Sequence, residues 1–286
     1  MSEPIVSVLI TSYNRAKYIE FAIESVLKQT FQDFEIVISD NCSTDNTMEI
    51  LKKYTDNPKI RIYQTKENIG QFPNRNYAAS LAKGKYLKYV DSDDYIYPTG
   101  LEVLVNMMES FPEAGWGLCS LGQVKEKPYP ILLSPHEAYK HNFFGPGLFH
   151  KAPLSSIIKK LVFEEVRGFK PGKMVGDYEM WLRLGQTYPV LLMPDGIVWY
   201  REHEGQEFVF VKDYLSIYQK IKIFYLTHPA CPLNKKEIEM VFKNENATYK
   251  TGLIKSLITF NKPKMLENYH YLKLNKNPIH TNYPVH

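Results

Sequence analysis

Through its first 120 residues the chain alternates short apolar runs with amphipathic stretches. Ile5–Thr11 is Val, Ile and Leu broken only by Ser7, the pattern of a parallel strand buried on both faces. Residues 15–29 set Tyr18, Ala22 and Val26 beside Ile19 and Ile23, which is helical spacing. Phe34–Ser39 reads as a second strand, and 46–54 as a helix that Ser43 or Thr44 can cap. Ile60–Gln64 is a third strand and Pro73–Ala82 a helix stopped by Gly84. Residues 85–90 make a fourth strand, and 97–111 a helix closed by Pro112. Strands alternating with helices at this spacing mean β-α-β units, so the fold class is α/β with a mostly parallel, Rossmann-like sheet flanked by helices.

The pattern is more broken afterwards. Trp116–Ser120 suits a strand, and 123–135, rich in proline, a loop. Residues 141–149 form an aromatic loop that suits a lid, an acceptor platform or simple packing. Trp181 suits the core or an acceptor wall. Gly168–Gly176 reads as flexible, Asp177–Leu184 as a helix, and Val190–Met193 and Ile197–Tyr200 as strands. From about 208, Lys–Tyr–aliphatic helices take over. The expected organisation is therefore a domain over 1–207, in two halves (1–120 and 121–207), followed by a helical extension over 208–286.

Right-handed crossovers put the strand ends at 11, 40 and 91 along one edge, where open α/β sheets bind their ligands. Thr11–Tyr13, Asp40–Asn41 and Asp91–Asp94 therefore converge. Three carboxylates within four residues, with Ser92 between them, repel one another unless a cation joins them. Hard oxygen donors point to Mg²⁺ or Mn²⁺. A solvated acidic turn capping the next helix is the alternative. Tyr13 can stack on a base, Asp40 and Asn41 can read its edge, and Arg75, Arg201 and His203 supply basic groups. Together these describe a nucleoside-diphosphate site. No G-x-G-x-x-G follows the first strand, and no P-loop, G-x-S-x-G elbow, HExxH or Cys/His cluster is present.

The net charge of +4 over 286 residues is too small to argue for nucleic acid. It is uneven, however. Twelve lysines against one aspartate and four glutamates give residues 208–286 a surplus of seven, leaving −3 for the rest. That basic, Tyr-rich tail suits a solvated helical cap, an anionic membrane surface or a homodimer face. Cys42, Cys119 and Cys231 are scattered, which argues for a reducing compartment. With neither a signal peptide nor a membrane span evident, the expected location is cytoplasmic, with peripheral contact at the inner membrane face allowed by the tail.

Over about residues 5–205 the chain resembles the family 2 glycosyltransferases, inverting enzymes of GT-A fold. The resemblance rests on Val-Ser-Val-Leu-Ile-Thr-Ser-Tyr-Asn-Arg (6–15), Gln29–Ile36, Asn68-x-Gly70, Arg75-Asn76, Gly84-Lys85-Tyr86, Asp91-Ser92-Asp93-Asp94, Gly176–Leu184 and Arg201-Glu202-His203. It implies a nucleotide-sugar donor and a glycan or lipid-linked acceptor. Thr11, Tyr13, Asp40, Asn41, Arg75, Asp91, Ser92 and Arg201 would bind the nucleotide. Asp93, Asp91 and His203 would hold the metal, and Asp177 would be the general base. Two positions depart from the family pattern. Asn41 stands where a second acid usually meets uracil, which keeps dTDP and GDP beside UDP. Gly176 stands where a glutamate usually precedes the base. A sugar nucleotidyltransferase would show a Gly-rich basic loop after the first strand, and Ser12-Tyr13-Asn14-Arg15 has no glycine. A catalytically silent binding module is the other alternative.

Overall fold

The computed structural model describes residues 3–125, 127–171, 175–203 and 211–276. Strands β1 (Val6–Ser12), β2 (Phe34–Asp40), β3 (Ile60–Gln64) and β4 (Tyr86–Tyr89) lie side by side in the order β3-β2-β1-β4, all parallel. Helices α1 (Ile19–Leu27), α2 (Thr47–Leu51) and α3 (Gln71–Ser80) make the crossovers. The register pairs Ser12 with Asp40, Asp40 with Gln64, and Leu9 with Tyr89, so the carboxyl ends are level at one edge. Both faces of this sheet are buried. Leu9, Val37, Leu87 and Tyr89 enter one core, and Val8, Ile10, Ile36, Ile38 and Tyr86 enter the other. That is why the strands read as unbroken apolar runs rather than alternating ones.

The sheet continues β4-β8-β6-β9-β7, through β6 (Trp116–Leu121), β7 (Ile131–Leu133), β8 (Ser156–Lys159) and β9 (Val190–Pro194). Strand β8 runs antiparallel between β4 and β6, and β7 antiparallel beside β9. A second ribbon pairs β5 (Tyr95–Ile96) with β10 (Val198–Trp199). Helices α4 (Gly100–Ser110), α5 (Pro135–Phe144), α6 (Lys160–Glu165) and α7 (Gly176–Thr187) complete this half.

Two expectations change here. The segment 123–135, read as loop, contains β7, and the aromatic stretch 141–149 begins as the last turn of α5. Ser134 caps α5 in a capping box with Glu137, and Pro135 sits in the first turn. The proline read as a breaker is therefore a helix start, where its missing N–H costs nothing. The end of the stretch packs, while Phe144 is left exposed. Phe149 is fully buried against Trp116, which stacks on Trp181 at 5.3 Å and 12°. Trp181 is thus a core residue, and its Nε1 donates to the Lys151 carbonyl at 2.6 Å. In the stretch read as flexible, Gly168 closes the turn after α6 at φ 63 and Gly176 opens α7; residues 172–174 lie outside the described residues.

Three helices follow: α8 (Val211–Thr227), α9 (Lys235–Ile258) and α10 (Lys262–Lys276). Ile221, Tyr225 and Leu226 join the same buried cluster as Trp116 and Trp181. Glu179 of α7 is fully buried and fastens α8 to the sheet domain. It accepts from Arg183 through Nε (3.0 Å) and Nη2 (2.9 Å), pairs with Lys170 at 3.3 Å, and accepts from the Tyr225 hydroxyl. The expected boundary near 207 and the last ten residues lie outside the described residues. Among the described residues no helix is long and apolar enough to cross a membrane.

Candidate active site

The crevice begins where β1 and β2 end together. Asp40 is fully buried, and both its oxygens are engaged. Oδ1 accepts from the hydroxyls of Ser12 (2.9 Å) and Ser43 (2.5 Å), and Oδ2 from the Ser43 N–H (2.8 Å) and Gln64 Nε2 (3.2 Å). Asn41 donates to Asn68 Oδ1 at 2.9 Å and accepts from the Ile69 N–H at 2.9 Å. The two residues therefore tie β1, β2 and the 65–70 loop into one rigid wall. Tyr13, 41% exposed, stands free above it, with Thr11 half-buried at its foot.

The acidic turn follows β4. Asp91 Oδ1 meets Arg75 Nη2 from α3 at 2.6 Å. Arg75 is 8% exposed and lies over the Tyr89 ring at 5.6 Å. Its Nε and Nη1 are buried with no hydrogen-bond partner among the described residues. Burial works against its charge, but Asp91, Tyr89 and Asp177 together raise its pKa. Ser92 is buried in the turn. Asp93 Oδ2 accepts from Arg15 Nε at 3.0 Å and lies 3.0 Å from His203 Nε2. Arg201 closes the turn: its Nε donates to the Asp93 carbonyl (2.8 Å) and its N–H to Asp94 Oδ1 (2.9 Å). Its guanidinium sits 4.8 Å from the Trp199 ring and 5.2 Å from that of Tyr18. Burial, and then the charges of Asp91 and Asp93, push the Asp94 carboxyl up, and its Oδ2 is buried without a partner among the described residues. Beneath them Lys88 is fully buried in β4 and donates to the Tyr89 carbonyl (3.1 Å) and to that of Leu154. Burial pushes its pKa down to about 8, against Cys119, Asp91 and Asp94.

Asp177 enters from the opposite side, in the first turn of α7. It keeps an open edge in the crevice, and its Oδ1 accepts the Tyr178 N–H at 2.8 Å. Burial pushes its carboxyl up to about 6 and Asp91 adds to the rise, while the Tyr178 N–H and Arg75 oppose it. Arg75 thus serves Asp91 and Asp177 at once. Aromatic groups lie beside Asp177. Tyr178 stacks on His150 at 4.8 Å and 10°, and Tyr218 of α8 lies 5.2 Å from Tyr178. Burial and then Asp177 raise the Tyr218 phenol to about 12. Burial and then Asp94, Asp91, Asp93 and Asp177 raise the Tyr200 phenol to about 12.

Residues 7–167, more than half of the chain, match the model of glycosyl transferase family 2. The chain belongs to that family. Over 101 residues it is 45% identical to a chondroitin synthase of Pasteurella multocida, a match covering 35% of this chain and about a tenth (10%) of that much longer protein. A putative teichuronic acid biosynthesis glycosyltransferase of Bacillus subtilis, TuaG, is 42% identical over 151 residues, covering 50% of this chain and 60% of that one. Among solved structures, S. aureus TarS residues 1–349 with UDP-GlcNAc superposes at a TM-score of 0.62 and 18% identity, covering 98% of this chain and 93% of that one. The mannosyltransferase PcManGT of Pyrobaculum calidifontis, with GDP-Man and Mn²⁺, superposes at 0.59 and 16% identity, covering 99% and 89%. The fold is thus that of the GT-A glycosyltransferases.

One departure from the family 2 pattern, Gly176, has a local cause. A Cβ on Gly176 would lie 2.6 Å from the Phe72 ring, so Phe72 fills the space that a side chain there would need. Asp177 keeps a raised pKa through burial, without a glutamate neighbour. Beside Asn41, Cys42 holds φ 61, a conformation in which glycine would be unstrained. Four residues near the crevice had no role in the sequence reading: Arg15, Lys88, Tyr200 and Tyr218. Arg15 lay inside a matching motif, and the other three carried no local signal.

Proposed function

We propose that the protein is an inverting glycosyltransferase that moves a sugar from a nucleoside-diphosphate sugar, UDP first and dTDP or GDP as alternatives, to a hydroxyl of a glycan or lipid-linked acceptor. The observation that carries this reading is Arg75. Its two unpartnered, buried N–H groups sit between Asp91 and Asp177 and suit the oxyanions of a donor diphosphate or the hydroxyls of its sugar. Tyr13 offers a face to the base, Thr11 lies at its foot, and Asp40 and Asn41 build the wall behind it. Ser92 shapes the turn and Arg201 closes over the diphosphate.

The donor set suits a divalent cation held jointly by protein and substrate. Asp93 Oδ2 and His203 Nε2 already share one point, Asp91 adjoins them, and the orphaned Asp94 Oδ2 marks a place short of positive charge. When bound, Mn²⁺ or Mg²⁺ would neutralise the charge growing on the leaving diphosphate. Asp177 takes the proton of the acceptor hydroxyl as that oxygen attacks the anomeric carbon. The bond from that carbon to the diphosphate oxygen breaks with its electron pair, and attack from the opposite face inverts the centre.

Slow donor hydrolysis tests this without knowledge of the acceptor. Nucleotide release is measured from UDP-, dTDP- and GDP-sugars, with and without Mn²⁺, for the wild type and Asp93→Ala. Metal-dependent release from one donor class, lost in the variant, is expected. No release and no nucleotide binding across the panel would refute the transferase reading and favour a silent module.

A further inference from the structure

The α9–α10 hairpin leaves apolar groups on its outward side. Its inward side mixes apolar and polar groups: Val241 and Tyr271 are buried and Ile238 and Phe242 pack on the core, while Gln219 Nε2 donates to Asn275 Oδ1 at 2.5 Å, Asn275 Nδ2 to Asn246 Oδ1 at 3.2 Å, and Lys222 pairs with Glu245. Asn268 and Ser256 are also buried. Its outward side is apolar: Ile254 is 58% exposed, Leu257 53%, Ile258 71%, Leu266 54% and Phe260 94%. A surface helix of a soluble domain does the opposite, so this face expects an apolar neighbour. Phe260, between the two helices, holds a left-handed φ of 51 while its ring points into solvent.

Lysines share that face. On α9, Lys243, Lys250, Ile254, Leu257 and Ile258 follow one another at helical spacing along one stripe, and on α10 Lys262, Leu266, Tyr269 and Lys273 do the same. Residues 246–276 hold six lysines and one glutamate, and that Glu267 is paired with Lys264 at 3.0 Å.

We propose that this hairpin docks on an anionic lipid surface, with Ile258, Phe260 and Leu266 at the acyl boundary and the lysines among the headgroups. Apolar side chains alternating with lysines along one stripe are what an interfacial helix needs, because the lysine stems lie along the apolar surface while their charges reach the phosphates. A second copy of the chain fits less well. A two-fold interface sets each lysine stripe against itself, with one paired glutamate to offset it. Nothing in this proposal rests on the donor or the chemistry above.

The test is flotation of the full chain with vesicles of phosphatidylcholine containing about a quarter phosphatidylglycerol, against phosphatidylcholine alone. Binding to the anionic vesicles only, weakened by salt, is expected. Replacing Lys250, Lys262 and Lys273 by Gln should lower the partition about a hundredfold, at about fivefold per lysine. Ile258→Ser with Phe260→Ser should lower it at least about tenfold. All these side chains are exposed, and unchanged melting curves would show that the fold persists. Equal binding to both vesicle types, no binding at about 1 mM lipid, or anionic binding indifferent to both variants overturns the proposal. So does a dimer in light scattering that Ile258→Ser/Phe260→Ser dissolves.

Discussion

Asp177→Asn separates chemistry from stability. Folded Asp177 keeps its proton up to about 6, chiefly because burial disfavours the carboxylate. An aspartate in the unfolded chain loses it near ~4. Between these values the unfolded chain ionises first, so stability falls as pH rises through the window and stays lower above it. Taken whole, the shift costs about 3 kcal/mol at pH 8 and about half that at pH 5. The open edge of Asp177 screens part of it, so ~2 kcal/mol at pH 8 and ~1 kcal/mol at pH 5 are expected. Asparagine has nearly the same shape, keeps the Tyr178 N–H bond and carries no charge. The variant should therefore be more stable than the wild type, melting about 4 °C higher at pH 8 with a smaller gain at pH 5. Transfer should fall about 10²–10⁴-fold while the donor still binds. Urea unfolding at the two pH values and single-turnover transfer read both effects. A stability gain indifferent to pH, or a less stable variant, would refute the assignment of a burial-strained carboxylate.

Three further outcomes follow from the same geometry. Arg75→Lys keeps a charge opposite Asp91 but loses the fork, so kcat/KM for donor hydrolysis should drop about 10- to 100-fold, the worth of one or two charge-assisted bonds. Gly176→Ala drives a methyl into the Phe72 ring and should cost about 1–3 kcal/mol in urea unfolding, most of it recovered by Phe72→Leu in the same chain. If the acceptor enters beside Tyr178, next to the proposed base, Tyr218→Ala should raise the acceptor KM at least about tenfold and leave donor hydrolysis unchanged, as burial loss at one aromatic contact predicts.

The first half of the chain is legible in the sequence because parallel strands buried on both faces need continuous apolar runs, and Ile60–Gln64 appears with its bounds as read. The second half is less so. Strands β7 and β8, three and four residues long, are too short to show a period, and Pro135 carries a start signal that resembles a stop. The acidic turn and Asp177 show themselves by residue type and order. The partners that set their behaviour do not. Lys88 looks like any strand residue until β8 and the 153–155 turn cover it, and Tyr218 comes beside Tyr178, the neighbour of Asp177, on α8, which Glu179 ties to α7.

Those unseen partners determine the electrical state of the crevice. Asp91, Asp93, Asp94 and Asp177 are four carboxylates around one cleft, and Arg75, Arg15, Arg201 and Lys88 are four cations supplied by α3, the β1 turn, the segment after β10 and β4. Asp94, pushed up by burial, keeps its proton more readily than an ordinary carboxyl, so the cations are not outnumbered, and the acids are held in place by internal partners rather than by solvent. A diphosphate arriving alone would bring negative charge into that balance, and a divalent cation alone would bring positive charge. Arriving together they nearly cancel, which leaves Arg75 Nε and Nη1, the two uncommitted N–H groups, to decide where the pair comes to rest.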